Sequence, residues 1–136
     1  MGEDFVKKGV KGSERTIVLA AEDGASLSNG SLRLYALPYG CVDLYSYDPL
    51  NRRVAVGIMV ASEYRRQGYA SAMLQELAKL AKETYNLHTL YADIAATNTA
   101  SIALFRKAGY TECGHFKEWV EYDSHFIDNI RMQLIL

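Results

Sequence analysis

Hydrophobic and polar positions alternate with a two-residue period over much of the chain, the spacing of β-strands. From residue 32, the segments LRLYAL and CVDLYSYD flank a turn at 38–40 and predict a β-hairpin. After a second turn at 48–51, the segment RRVAVGIMV predicts a central strand. One face of this strand carries Val54, Val56, Ile58 and Val60, and the other carries Ala55, Gly57 and Met59.

The period changes to that of a helix after the central strand. Over 69–84 the apolar residues recur every three or four positions, with charged residues largely opposite them, which predicts an amphipathic helix. The segment HTLYADIA then alternates as a strand, and Asn98 or Thr97 can cap a helix over 99–108 that Gly109 ends. A strand from 110 to 120, a turn at 122–125 and the segment RMQLIL predict a closing hairpin.

Residues 1–31 differ from the rest of the chain because they mix charge with Gly, Ser and Asn. Their one β-branched stretch, Thr16 to Val18, predicts a short strand between irregular pieces. We therefore expect a poorly readable N-terminal segment over 1–31 ahead of the main body over 32–136, in a protein of one domain.

Composition narrows the functional class. The 136 residues are 49% apolar, which is enough for one core without disulfides or a metal, and 15 basic residues balance 16 acidic ones. Such a balance argues against a nucleic-acid partner. No run of apolar residues has the length of a membrane span, and the start MGEDFVKKG lacks the features of a signal peptide, so we expect a cytoplasmic protein without a membrane partner. The two cysteines and three histidines have no metal-site spacing, so we expect no metal.

The segment ASEYRRQGYASAM joins the central strand to the first helix and is the strongest candidate for chemistry. The free amides at a helix start, together with the helix dipole, favour a phosphate or pyrophosphate there. Gly68 allows close backbone approach, Ala70 and Ser71 leave space, and Arg65 and Arg66 can bind an anion. The alternative is an ordinary turn with two solvated arginines before a helix.

Two adjacent segments carry a resemblance to a known family. VGIMVASEYRRQGYASAMLQEL resembles the central motif of the GNAT acetyltransferases, and DIAATNTASIALFRKAGY resembles their second motif. The segment DLYSYDPLNRR and the closing hairpin with Trp119 are similar to members near the ribosomal-protein-alanine and spermidine acetyltransferases, over about 32–136. The residues that match the two motifs are Arg65, Gly68, Ala70, Asn98, Ser101, Leu104, Gly109 and Tyr110.

The resemblance implies a mixed α/β (α+β) fold: a central, mostly antiparallel twisted sheet with a splayed parallel strand pair, flanked by helices. It implies transfer of an acetyl group from acetyl-CoA to a primary amine, by direct attack in a ternary complex. The acceptor would be a polyamine, a small amine or a protein N-terminus, and a homodimer is one option. The alternative is a catalytically degenerate module that binds acyl-CoA or a protein partner.

The same resemblance implies a set of residues that bind acetyl-CoA. Backbone amides from Arg66 to Ser71 would hold the pyrophosphate, with Arg65 at the entrance of the loop. Met59 and Val60 would bond the pantetheine arm, and the helix that begins at Asn98 would flank it. The expected cofactor-binding residues are Met59, Val60, Arg65, Arg66, Gln67, Gly68, Tyr69, Ala70, Ser71, Asn98, Ser101 and Phe105.

The chain departs from the family at its acid and base. Phe105 stands where many relatives carry a tyrosine that protonates the departing thiolate, and the stretch from Val54 to Val56 lacks the usual glutamate. A well-positioned neutral amine can attack without them, although losing acid–base catalysis costs about two to four orders of magnitude in rate.

The candidate replacements are Asp43, Tyr45, Glu63 beside the loop, and Asp93. By the two-residue period Asp43, Tyr45 and Tyr47 share one strand face, as do Tyr91 and Asp93, and an acidic, aromatic-lined pocket there would suit a cationic amine. The alternative is that these strand residues form a solvated sheet face.

The acceptor side also departs from the family, which places a strand and two helices at the N-terminus. Residues 1–31 are too few, and too poor in helical periodicity, to supply both helices. The sequence therefore leaves three alternatives: an open acceptor pocket, one that a second chain completes, or none.

Overall fold

The structure, a computed structural model, describes residues 17–136. Within this range it contains six strands, two α-helices and two short 3-10 turns at Leu27–Asn29 and Ser62–Tyr64. The strands are β1 (Leu32–Ala36), β2 (Gly40–Asp48), β3 (Arg53–Val60), β4 (Thr89–Ala95), β5 (Thr111–Tyr122) and β6 (His125–Ile135). The helices are α1 (Tyr69–Glu83) and α2 (Thr99–Lys107).

All six strands belong to one sheet in the order β1-β2-β3-β4-β6-β5. Short turns join β1 to β2, β2 to β3 and β5 to β6, so these pairs are antiparallel, as is the pair β4–β6. Helix α1 carries the chain across the sheet from β3 to β4, so this one pair is parallel. The predicted mixed fold, both hairpins and both helices are confirmed.

The hydrophobic core lies on one side of the sheet, where both helices pack. Every second strand residue points to this side because strand side chains alternate between the two faces. Helix α1 contributes the apolar stripe that its sequence predicts, and α2 contributes Phe105. The buried core residues include Leu34, Leu44, Val54, Met73, Leu74, Leu77, Leu90 and Met132, none more than 1% exposed.

The other side of the sheet is the open face, which we define by its polar and aromatic residues. The strand register places these residues on one side, since each lies beside a partner from the next strand. In residues 17–136 both helices pack on the core side. The open face comprises Arg33, Tyr35, Cys41, Asp43, Tyr45, Gly57, Tyr91, Asp93, Arg131 and Gln133.

The parallel pair β3–β4 separates soon after it begins. Hydrogen-bonded register covers only the pairs Arg53–Thr89, Val54–Leu90 and Ala55–Tyr91. Beyond these pairs β3 stays bonded to β2, and β4 stays bonded to β6. The sheet therefore opens into the splay that the family resemblance implies.

The N-terminal strand predicted at 16–18 is wrong as far as the structure describes it. Thr16 lies outside the described residues, and Ile17 and Val18 have no strand structure. Ile17 and Leu19 are buried in the core, but the backbone meets β1 only at an isolated bridge from Ala20 to Tyr35. Ile17 thus packs against the core without strand pairing, whereas Val18 is 71% exposed.

Candidate functional site

The loop between β3 and α1 has the geometry that an anion site requires. Gly68 is the N-cap of α1 with φ 89°, a left-handed conformation that glycine adopts without strain, and Arg66 before it also has positive φ, 61°. The first helical bond runs from the amide of Ala72 to the carbonyl of Gly68, at 3.1 Å. Gly68 has no side chain to cover the helix start. The amides of Ala70 and Ser71 therefore stand at the positive end of the helix dipole.

Side chains of the loop bond to its own backbone and fix its shape. Arg65 donates from Nε to the carbonyl of Val60 at 3.0 Å, and Gln67 donates from Nε2 to the carbonyl of Glu63 at 2.9 Å. The first bond ties the loop to the end of β3. Two of the sequence-predicted residues, Arg65 and Gln67, thus fix the shape of the loop.

Three tyrosines support the loop from beneath. Tyr39, from the β1–β2 turn, stacks on Tyr69 with ring centroids 4.1 Å apart, and Tyr64 meets the two rings edge-on at 4.9 and 5.6 Å. The amide of Ala61 donates to the carbonyl of Tyr39 at 2.8 Å. Sequence reasoning missed this support because Tyr39 comes from a distant turn, although tyrosines on both sides of the loop were a visible signal.

A cavity of about 320 Å³ lies in front of the start of α1. Three cations line it: Arg65, Arg66 and Lys107, the last of which the sequence analysis did not single out. Lys107 reaches the cavity because α2 packs beside α1. The lining residues are Val60, Tyr64, Arg65, Arg66, Gly68, Ala70, Ser71, Ala100, Leu104 and Lys107, among which there is no carboxylate.

A second cavity, of about 190 Å³, lies in the splay between β3 and β4. It brings together Asp93 and the three residues predicted from the second motif, Asn98, Ser101 and Phe105. The side chain of Asn98 caps α2 by accepting from the amide of Ser101 at 3.1 Å. The lining residues are Val56, Gly57, Ile58, Ala92, Asp93, Ile94, Ala95, Asn98, Ser101 and Phe105. Both β3 and α2 contribute residues to each cavity, so the two cavities lie next to each other along these elements.

A third cavity, of about 420 Å³, lies over β1 and β2 on the open face. Its outer wall comes from the segment 22–31, which contains the 3-10 turn Leu27–Asn29. Tyr45 lines this cavity, and its ring lies over Gly57, which lines the splay cavity. A Cβ atom added at Gly57 would lie 3.9 Å from Tyr45 Cε1, so Tyr45 stands between the two cavities. The lining residues are Glu22, Ala25, Ser26, Asn29, Ser31, Leu32, Arg33, Tyr35, Asp43, Leu44 and Tyr45.

Two aspartates of the open face each bind an arginine through both carboxylate oxygens. Arg33 donates from Nε and Nη2 to Asp43 at 2.6 and 2.8 Å, and Arg131 donates to Asp93 at 2.8 and 2.9 Å. The hydrogen bonds from Arg33 hold the pKa of Asp43 below its usual value. Burial, followed by the charge of Asp93, raises the pKa of Tyr45, so its hydroxyl keeps its proton at neutral pH.

The four candidates for acid–base chemistry occupy different places. Asp93 lines the splay cavity, whereas Asp43 and Tyr45 line the third cavity. Glu63 is exposed on the turn before the loop and lines none of the three cavities. Met59 is 59% exposed near the end of β3 and lines none of the three cavities.

The expectation that Tyr47 shares a face with Asp43 and Tyr45 is wrong. The β2–β3 register shifts between Tyr45 and Asp48, and Ser46 in between has φ 54°. This bulge inserts an extra residue, so the alternation restarts and Tyr47 packs against the core.

One buried hydroxyl in the described part of the chain, that of Tyr110, has no hydrogen-bond partner. The residue is 1% exposed, and burial raises its pKa. Its ring meets that of Phe105 edge-on at 4.9 Å, behind the wall of the splay cavity.

Two kinds of feature are absent from residues 17–136. No group of three or more His, Cys, Asp or Glu side chains there could hold a metal ion. Neither helix of that region is long and apolar enough to cross a bilayer.

Comparison with known proteins fits this fold and loop. The family model described as an acetyltransferase (GNAT) domain matches residues 14–111, so the chain belongs to the GNAT acetyltransferase family. The spermidine N(1)-acetyltransferase of Vibrio cholerae is 25% identical over 96 residues, which are 71% of this chain and 56% of that protein. An N-alpha-acetyltransferase of Sulfurisphaera tokodaii is 39% identical over 57 residues, 42% of this chain and 34% of the relative. The chain thus spans about half or less of the length of these relatives.

Solved structures share the fold. The dodecameric structure of spermidine N-acetyltransferase from Vibrio cholerae superposes with a TM-score of 0.73 at 23% identity, over 79% of this chain and 66% of that one. The F149A mutant of the same enzyme gives a TM-score of 0.76 with the same coverage.

Proposed function

We propose that this protein binds acetyl-CoA and transfers its acetyl group to a primary amine, by direct attack of the amine in a ternary complex. The observation that carries the proposal is the separation of β3 from β4 after three residue pairs, which leaves a cavity in the splay. We infer that this cavity and the cationic cavity at the start of α1 together form one path. One end of this path suits a pyrophosphate, and the other suits a narrow, extended arm.

The residues present fit acetyl-CoA as a ligand. Amides from Arg66 to Ser71 would hold the pyrophosphate, and Arg65 and Lys107 would neutralise phosphate charge.

From Val56 onward β3 is paired only with β2, so the alternate residues Val56, Ile58 and Val60 turn backbone groups toward the splay, where they can bond the pantetheine amides. Met59 is paired with Cys41 of β2, and the carbonyl of Val60 already accepts from Arg65 Nε, which leaves the amide of Val60 for the arm. Asn98 caps α2 with its side-chain oxygen, so its side-chain NH2 group is left for the cofactor. Asn98 and Ser101 both line the splay cavity, so the hydroxyl of Ser101 can also contribute.

Acetyl-CoA supplies the activated acyl group, and the chain supplies position and proton handling. Phe105 shapes the splay but has no proton to give. Tyr45 has its proton at neutral pH and can donate a hydrogen bond where negative charge develops. Asp93 can accept the proton that the amine loses, because each of its two oxygens has a lone pair beyond the one that Arg131 uses. Glu63 stays a weaker candidate for this task because it is exposed outside the cavities.

The acceptor would enter through the open face. The third cavity lies on that face and meets the splay at Tyr45. The segment 22–31 would therefore wall the acceptor pocket in place of the two helices that relatives use. We also propose that the chain associates with copies of itself, because the spermidine N-acetyltransferase of the same fold forms a dodecamer. Light scattering on the purified protein would measure the number of chains in the assembly.

The test joins binding and turnover. Calorimetry should show CoA binding, and thiol release should appear when acetyl-CoA meets a suitable acceptor from a screen of polyamines, small amines, amino sugars and peptide N-termini. Binding without turnover on any acceptor would favour the degenerate acyl-CoA-binding module, and absence of binding would reject both functions.

Two variants on one helix test the location of the cofactor. Lys107→Gln should weaken CoA binding about ten-fold, because it removes a cation from the phosphate cavity. Arg106→Gln is the matched control: it is also a cation in the last turn of α2, but it lies outside the cavity lining. Equal losses in both variants would place the phosphates elsewhere.

A further inference from the structure

The charges of the acceptor side are arranged in a way that disfavours an acceptor with several positive charges. Its carboxylates are Glu22 and Asp43 in the third cavity and Asp93 in the splay. Two of the three are each bound by an arginine through both oxygens. Three negative and two positive charges leave a net charge of about −1, which matches one ammonium group.

Arg131 is held in place by more than its aspartate. The guanidinium of Arg131 lies 4.5 Å from the centre of the Tyr91 ring and 5.6 Å from that of Phe116, so a cation–π contact on each ring adds to the bidentate pair with Asp93. Arg33 lines the third cavity with its partner Asp43. Guanidinium groups stay charged at every physiological pH.

A linear polyamine extends several methylene groups beyond its reacting amine and carries further ammonium groups there. With its reacting end at the splay, its other charges would lie along the open face, near Arg33 or Arg131. A monoamine, or the N-terminal amine of a peptide, has no such charge next to its reacting group. Its single charge meets the net charge of the site.

We propose that Arg33 and Arg131 determine acceptor specificity by neutralising Asp43 and Asp93, so that the site selects amines with one positive charge, such as the N-terminal amine of a peptide. This inference rests on the proposed acetyltransferase function and names its acceptor class. The arginines act as positioning and selecting groups, separate from the residues that handle protons.

Specificity is measured as the ratio of kcat/KM for spermidine to kcat/KM for n-butylamine. Arg131→Gln and Arg33→Gln should each raise this ratio about ten-fold, because each variant leaves one carboxylate of the open face free to attract a further ammonium group. Arg131→Lys keeps the positive charge and should leave the ratio near that of the unaltered protein. Arg53→Gln is the matched control, since Arg53 pairs with Asp48 at 3.2 Å away from the cavities.

Direct binding separates this inference from the function on which it rests. Calorimetry with spermidine should show about ten-fold tighter binding to Arg131→Gln and Arg33→Gln than to the unaltered protein. Tighter binding without turnover on any amine would overturn acetyl transfer but support the selecting role of the arginines. An unchanged spermidine affinity and an unchanged ratio in both variants would overturn the selecting role, even if acetyl transfer is observed.

Discussion

The two halves of the candidate site are built in different ways. The cofactor half is formed largely by backbone: a left-handed glycine, the start of a helix and two strands that separate. The acceptor half is formed by side chains from four strands. One bidentate ion pair joins β1 to β2, another joins β4 to β6, and Tyr45 stands between the two pairs. Backbone shape tolerates many side-chain changes, whereas a face of ion pairs changes its charge with a single substitution. We therefore expect cofactor choice to be robust and acceptor choice to be easily altered.

Gly68→Val should produce the largest effect on CoA binding, because it changes the backbone conformation on which the cofactor half depends. A β-branched side chain strongly disfavours the φ of 89° at Gly68, so the loop must rearrange and its amides lose their direction. We expect CoA affinity to fall about 100-fold in calorimetry, since the pyrophosphate loses its bonds at the helix start.

The control for this variant is Gly24→Ala. Gly24 also has positive φ, 82°, and open space around it, so alanine there adds backbone strain away from the loop. Its CoA affinity should equal that of the unaltered protein. If Gly68→Val bound CoA normally, the backbone origin of the cofactor half would be wrong.

Tyr45→Phe tests the residue that lies where the two halves meet. It removes a hydroxyl that keeps its proton at neutral pH and stands at the splay, so kcat should fall about 10- to 100-fold while CoA affinity stays unchanged. The measurement is steady-state thiol release at saturating acetyl-CoA.

Tyr47→Phe is the matched control on the same strand, since Tyr47 packs against the core and should keep full kcat. Adding Phe105→Tyr to Tyr45→Phe returns a phenol to the splay wall and should recover part of the lost rate. An unchanged kcat in Tyr45→Phe would assign proton handling to Asp93 and water alone.

Sequence patterns predicted the cofactor half well because its signals are local. The strand that ends at Val60, the loop with Gly68 and the helix over Tyr69–Glu83 follow one another within about 30 residues, and each has its own periodicity. Asn98 was also predictable as a cap, since an N-cap is decided by its immediate neighbours.

The acceptor half was less predictable because its contacts join residues far apart in the chain. Asp93 and Arg131 are 38 positions apart, and nothing in either segment shows that they face each other. An acidic pocket was therefore expected where the structure has nearly balanced charge. Tyr47 was placed on the wrong face because a bulge has no clear sequence signature when the extra residue is a serine.

Tyr110→Phe has the smallest expected effect. It tests whether the core behind the cofactor half is complete without a ligand or water bonded to the Tyr110 hydroxyl. The buried hydroxyl of Tyr110 has no partner among the described residues, and leaving such a group unbonded costs about 1–3 kcal/mol. The substitution should therefore raise the free energy of unfolding by about 1 kcal/mol, seen as a rise of about 4 °C in Tm.

Tyr122→Phe is the control: it removes a hydroxyl from a side chain that is 69% exposed and should change stability by less than about 0.5 kcal/mol. A loss of stability in Tyr110→Phe would mean that the hydroxyl is bonded in solution, with an ordered water as its simplest partner. Side-chain chemistry would then contribute to the cofactor half behind Phe105, and the contrast between a backbone half and a side-chain half would be weaker than we infer.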